Sequence, residues 1–540
     1  MPRLFVFAIG GTGERVMRSV TMLMAAGVPA FDNYEVYPII IDYDEKNADK
    51  DRCVRLLMDY NRIHNAAFKR HTATSDQKGM KNQFFAANVR DLTSTASENG
   101  NFTFPFKPSV PNMKFRDYIG YDDISGELML THELLQSLYD ESNRPDTELN
   151  LDMTVGFKGN PNIGSVVFHD LASHPTFKKF ISLYKPSNKD KVIIIGSIFG
   201  GTGASGIPEI ASAINESYPN ADIATLLVLP YFAPAETDGG AIKASRFYSK
   251  TKAALSFYES STIKQNFNKI YYVGDFNPTT VAYSEGGKDQ QNNANIVELI
   301  ASLMVEHYIA DRGQKGNGKD YKFSIDADIH SRKGNKGGER LFLSNFDNIS
   351  LEKALHHLVK LGIALKFVHD DVKGSFSKLK ERGFADLLNL KDAVAGNDTQ
   401  LSILLTSLND FYESYVAWMR ELDYPGNDKE LPPNSHRLGI CDLTRDYANI
   451  IVKDIQVDHE KSQQNLIEQV WGFFGRGEGN KASADFIIAR MENSCKDDGE
   501  SGHFDSKGSK LKSGHEEEWV FMDLLHNAVV QTYDETIRLS

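Results

Sequence analysis

The stretch Lys191-Val-Ile-Ile-Ile-Gly-Ser-Ile-Phe-Gly-Gly-Thr-Gly-Ala-Ser-Gly206 decides how the rest of the chain is read. Its first part, Lys191–Ser197, is an apolar run of strand length, the pattern of a strand buried on both faces. It meets Gly200-Gly201-Thr202-Gly203-Ala204-Ser205-Gly206, four glycines in seven residues. A helix is expected after the glycines, over Ile207–Ile214, with Pro208 in its first turn. Strand, glycine turn and helix in this order let backbone approach an anion closely and aim helix N-terminal N–H groups at it. Thr202 and Ser205 add hydroxyls, enough to surround a phosphate chain without a lysine.

The same unit opens the chain. Leu4–Ile9 reads as a buried strand, Gly10-Gly11-Thr12-Gly13 as its turn, and Glu14 to about Ala25 as the helix. Val36–Ile41 is a second strand, closed by Asp42-Tyr43-Asp44, and a third glycine turn lies at Gly156–Gly164. Further strands are expected at 224–229 and 269–273, and helices at 241–259 and 293–311. This alternation predicts an α/β fold built on a parallel sheet. Neither common phosphate fingerprint is present. Val16 stands where G-x-G-x-x-G needs its last glycine, which disfavours a nicotinamide-dependent oxidoreductase, and G-x-x-x-x-G-K-[ST] does not occur.

Residues 50–150 read as an elaboration on the sheet, with helical stretches at 52–64 and 132–139. From Arg312 to Glu339 the composition turns to Gly, Lys, Asp and Asn, which marks a boundary. Beyond it, 351–367, 401–418, 463–474 and 519–537 read as helices, and 496–518 as a mobile polar loop. The division is a nucleotide-binding domain at 1–312, a boundary at 313–350 and a helix-rich region at 351–540.

Composition excludes several classes. The 540 residues carry 60 basic and 73 acidic side chains, a net charge of −13, with 41% hydrophobic and 25% charged residues. These are values of a folded globular chain of about three domains, or two large ones. The acidic balance argues against nucleic acid as a partner. Three scattered cysteines make no disulfide framework, and neither C-x-x-C nor H-E-x-x-H occurs. No apolar run reaches membrane-spanning length, so direct membrane insertion is not expected and the chain reads as cytoplasmic. His356 and His357 read as surface or core residues rather than ligands.

The Gly200–Gly206 run resembles the GGGTG[ST]G signature of the tubulin/FtsZ superfamily, and four further segments match that family in order. Residues 9–16 are similar to its first phosphate loop and 41–44 to its second, where Asp44 matches the acid near magnesium. Residues 156–164 are similar to the third loop, a glycine turn with Asn160-Pro161. Leu229–Phe232 with Glu236 is similar to the sugar-binding segment. The helix beginning Asn292-Asn293-Ala294-Asn295 is similar to the long central helix, whose early asparagine reads guanine.

The resemblance implies a divergent bacterial tubulin-like protein: a GTPase domain joined by a central helix to a divergent helix-rich C-terminal region. It implies GTP or GDP with Mg²⁺ as cofactors, and assembly with itself head to tail into cytoskeletal filaments. Phosphate binding then falls to Gly10, Gly11, Thr12, Gly13, Gly159, Asn160, Gly200, Gly201, Thr202, Gly203, Ala204 and Ser205. Ribose and base fall to Glu236 and Asn295, and the metal to Asp44. Hydrolysis in the family needs an acid supplied by the next subunit. Ser344–Ile349 is similar to that loop, with Asp347 and Asn348 as candidates and Asp326 and Asp328 as rivals. Where the family stacks an aromatic residue on guanine, this chain has Gln291. An adaptor protein is a further candidate partner. The alternative is a nucleotide-binding switch on the same fold that does not polymerise or hydrolyses very slowly.

Overall fold

The computed structural model describes residues 1–44, 47–68, 83–92, 102–104, 114–125, 128–139, 147–153, 156–157, 159–235, 244–275, 279–281, 288, 292–310, 319–322, 351–396, 399–423, 484–496, 503–505, 510–512 and 514–534. The fold is α/β, centred on a seven-stranded sheet. Its strands are β1 (Arg3–Ile9), β2 (Glu35–Ile41), β3 (Asn88–Val89), β4 (Lys191–Ser197), β5 (Ile223–Val228), β7 (Lys269–Val273) and β9 (Lys319–Lys322). They lie in the order β3-β2-β1-β4-β5-β7-β9, every neighbouring pair parallel. Two short strands, β6 (Phe232–Pro234) and β8 (Thr279–Val281), pair separately.

The order reverses once. From β1 the chain builds outward through β2 and β3, then returns to lay β4 on the other side of β1 and continues the opposite way. In open α/β sheets such a switch point opens a crevice at the carboxyl ends of the strands, where ligands bind. Here it lies between β1 and β4, whose register sets Ile9 opposite Gly196.

Both faces of the sheet are buried, which is why its central strands are apolar throughout. Leu4, Val6 and Ala8 enter one hydrophobic cluster, while Phe5, Phe7 and Ile9 enter the other. The first cluster takes in α1 (Gly10–Ala25), α2 (Ala48–Phe68) and α6 (Ile296–Ala310). It continues without a break into α7 (Leu351–Phe367), α8 (Gln400–Asp423), α9 (Ala484–Lys496) and α10 (Glu517–Tyr533). The second cluster takes in α3 (Pro161–Phe168) and α4 (Thr202–Ser217). A further helix, α5 (Ala244–Tyr258), precedes β7.

Three features differ from the reading of the sequence. Helix α1 begins at Gly10 and α4 at Thr202, so most of each glycine run is the first helical turn, and Pro208 lies inside α4. Strand β9 falls within the polar stretch read as a boundary; Lys-Asp-Tyr-Lys is a charged edge strand, a type that discourages pairing with another chain. Part of the expected mobile loop at 496–518 is a small hairpin in which Phe504 pairs with Leu511. The expected helix at 463–474 lies outside the described residues. Among the described residues no helix is long and apolar enough to cross a membrane.

Gly13 is fixed by packing. A Cβ there would stand 2.8 Å from both the Ala8 carbonyl carbon and the Ile195 carbonyl oxygen, backbone atoms that cannot give way. Gly13→Ala should therefore lower stability by about 1–3 kcal/mol or more, whereas Gly383→Ala, with open space around it, should change little. Urea unfolding of the two variants checks this.

His64, buried on α2, donates from Nδ1 to the Phe85 carbonyl at 2.8 Å, and burial pushes its pKa down to about 4. The folded state then binds fewer protons than the unfolded one between about pH 4 and 6.5, so stability falls as pH drops through that window. From pH 7 to 5 this residue should account for about 2 kcal/mol of lost stability. Urea midpoints at the two pH values should show a smaller drop in His64→Gln.

Candidate phosphate-binding edge

Four loops leave the carboxyl edge of the sheet beside the switch point, and Ile9 is level with Ile41 on one side and Gly196 on the other. A Cβ at Gly10 would lie 3.4 Å from Thr202 Cβ and 3.7 Å from the Gly203 nitrogen. One at Gly201 would lie 3.2 Å from the Gly159 nitrogen and 3.3 Å from that of Asn160. Gly156 faces Asp44, and the Tyr43 and Phe157 rings meet at 4.9 Å. The edge thus brings together Gly10, Gly11, Thr12, Gly13, Asp44, Gly159, Asn160, Gly200, Gly201, Thr202, Gly203, Ala204 and Ser205. Glu236, Asp347, Asn348, Asp326, Asp328 and Gln291 lie outside the described residues.

Backbone supplies the chemistry here. Gly10 and Gly159 have φ of +66° and +75°, conformations that side chains resist. Helices α1, α3 and α4 begin at this edge with no side-chain cap at Ile9, Asn160 or Gly201. First-turn N–H groups have no partner within their own helix, and the helix dipoles add partial positive charge. Helix ends of this kind commonly receive anions, though α3 offers fewer donors, since it opens on Pro161 and the Asn160 N–H is taken by the Phe157 carbonyl at 2.8 Å. A cation adjoins it, since Lys250 Nζ on α5 donates to the Gly159 carbonyl.

Two of the expected side chains are engaged elsewhere. The Ser205 hydroxyl, fully buried, donates to the Gly201 carbonyl at 2.8 Å and fills the space that a side chain at Gly164 would need. It tightens the contact between α3 and α4. Asn295 caps α6: its Oδ1 accepts from the Val297 nitrogen at 2.9 Å, and its own N–H donates to Glu298 at 3.0 Å, a capping box. The side-chain oxygen of the residue expected to read the base thus caps α6.

The corner around Asp44 is rich in carboxylates. Asp42 accepts from the Asp44 nitrogen at 3.0 Å and from Asn47 at 2.6 Å, and burial pushes its pKa up to about 6. Glu14, in the first turns of α1, accepts from Asn47 through Oε2 at 3.2 Å, while its Oε1 is buried without a hydrogen-bond partner. Burial, with Asp42 and Asp49 nearby, holds the Glu14 carboxyl well above its ordinary range. Lys50 donates to the Asp44 carbonyl at 2.6 Å. Oxygen donors of this kind suit a hard cation such as Mg²⁺. Among the described residues no three His, Cys, Asp or Glu side chains converge as a metal cage. A magnesium ion here would take one or two carboxylates and complete its shell from phosphate and water, as it commonly does.

The residue that ties the edge together is Arg15, which the sequence reading passed over. Its guanidinium is 1% exposed and reaches Asp49 at 2.7 Å, Glu298 at 2.7 Å, the Tyr231 hydroxyl at 2.7 Å and Thr12 at 3.3 Å. Arg52 bonds Asp49 at 2.5 Å, Glu421 at 2.9 Å and the Asn292 carbonyl at 2.6 Å. Glu421, near the end of α8, also takes Arg18 at 3.2 Å and the Ala294 nitrogen at 3.0 Å. Three arginines thus face three carboxylates, a neutral network running from the first glycine loop to the C-terminal helices. A signal existed in sequence: Glu298 is an acid inside the apolar run that opens α6.

Arg15→Met should lower stability by about 3–5 kcal/mol, because it strands Asp49 and Glu298 without their buried cation. Unfolding in urea gives the value; a loss under 1 kcal/mol would contradict the assignment. Searches of protein-family models and of curated proteins found no match to this chain.

Proposed function

We propose that this chain is a tubulin/FtsZ-like GTP-binding protein that hydrolyses GTP at a site completed by the next subunit and assembles head to tail into filaments. The observation that carries the reading is the meeting of the glycine loops and three uncapped helix ends at the switch point of a parallel sheet. In this reading the N–H groups of the first, third and fourth loops hold the phosphate chain. Asp44, with the carboxylates beside it, would hold Mg²⁺, whose charge would offset that of the phosphates. Lys250 supports the third loop. The ordered motifs of the sequence favour guanine and place α6 as the central helix.

Phosphoryl transfer needs mainly positioned charges and a positioned water. The facing subunit would supply the water-orienting loop through Asp347 or Asn348. A site divided in this way makes turnover depend on a heterologous contact, the kind that propagates a filament.

The second reading, a switch without polymerisation, draws on the Arg15 network. Any shift of the first turn of α1 on nucleotide binding reaches Glu421 and α8 through Arg15, Asp49 and Arg52, with no second subunit required.

Phosphate release from GTP and from ATP, measured over a rising protein concentration, separates the readings. Shared sites predict a threshold, with GTP turnover then growing with assembled protein and none from ATP. Turnover strictly proportional to concentration would contradict the shared site. GTP binding without release or sedimentable polymer would favour the switch. In either case Gly201→Val should weaken GTP binding by at least about tenfold, since its side chain closes the gap to Phe157 and Asn160. Unchanged affinity would overturn the phosphate site itself.

A further inference from the structure

We propose that His503 and His515 form a binding site for a transition-metal ion of the zinc class, with Asp523 as the residue that orients it. The site is separate from the phosphate-binding edge and does not depend on how that edge functions. Backbone bonds from Lys512 to His503 at 2.9 Å and from Asp505 to Lys510 at 2.9 Å close the hairpin and bring its two histidines together. Their Nδ1 atoms face each other at 2.9 Å. Two imidazole nitrogens bound at about 2.0–2.1 Å to one ion lie about 2.9–3.4 Å apart for angles between square and tetrahedral. The observed spacing falls at the lower end of that range.

The surroundings match what a histidine ligand needs. His503 Nε2 lies 2.8 Å from Asp523 Oδ2, so its N–H donates to the carboxylate and Nδ1, on the side of His515, is left as the lone-pair nitrogen. Ligating histidines are usually oriented this way, by a carboxylate that fixes the tautomer and raises basicity. Asp523 is itself held, by Gln83 Nε2 from the N-terminal half and by Asn527 at 3.1 Å. The Trp519 ring walls both imidazoles, at 4.7 Å and 5.0 Å. His503 is 4% exposed, whereas His515 is only partly buried and forms the open side.

Without the ion, one Nδ1 must carry a proton and donate it to the other. On metal binding the ion takes that proton's place, and His515 keeps its single proton on Nε2 instead. Two protein nitrogens leave coordination positions for water; among the described residues no third His, Cys, Asp or Glu completes the set. Nitrogen ligands favour zinc, cobalt or nickel over magnesium or calcium.

The test uses full-length, tag-free protein stripped with a chelator. Zn²⁺ is titrated in competition with a chromophoric chelator, and Co²⁺ is followed by its visible absorption. One equivalent should bind, raise the melting temperature by a few degrees and be unmatched by Mg²⁺. His515→Ala should abolish this binding, and Asp523→Asn should weaken it about 10–100-fold. No uptake of either ion, or uptake unchanged in His515→Ala, would overturn the proposal. Should His503→Ala or Asp523→Asn unfold the protein, the partly exposed His515→Ala still decides.

Discussion

A buried guanidinium must be matched on every side, and Arg15 imposes that demand on the whole molecule. Desolvating its charge is costly, and only several short bonds to well-placed partners offset the penalty. Its partners come from α2, from the connection between β5 and β6 and from α6, while Arg18 and Arg52 extend the same charge balance to α8. The consequence is that α1 cannot rotate or slide without breaking bonds in three other helices. Because the first turn of α1 is also the first glycine loop of the candidate site, the geometry of that site is set by this network.

Glycine packing supplies the complementary constraint. Gly13 lets α1 lie directly on β1 and β4, and Gly203 sits against the backbone of Ser197, where a Cβ would fall 2.6 Å from a carbonyl oxygen. These close approaches draw the helix ends down onto the strand ends. The starts of α1, α3 and α4 gather there, with carboxylates beside Asp44 and Lys250 beside Gly159.

The parts of the fold governed by local pattern were legible. Continuous apolar runs announced β1, β2, β4, β5 and β7, because strands buried on both faces have no polar alternation to conceal. Strand β9 was not legible, since a four-residue charged edge strand looks like a loop until its neighbour is known. Helix starts were misplaced for a physical reason: α1 and α4 lack capping side chains, so nothing in the sequence marks where the glycine turn becomes helix. Ser205 was assigned from its hydroxyl, yet the direction of that hydroxyl depends on Gly164, far away in sequence. Asn295 with Glu298 three residues on was a readable capping box. The pairing of Arg18 with Glu421, across most of the chain, could come only from tertiary structure.

The central claim is that the loops of this edge act as one site for a nucleotide's phosphates. Backbone hydrogen exchange with and without GTP and Mg²⁺ tests it at the level of the groups invoked. The account predicts that amides at 10–13, 159–160 and 200–203 slow together on nucleotide addition, with ATP giving a weaker effect. Saturating GTP that leaves these three segments unchanged, or protects amides elsewhere alone, would contradict it.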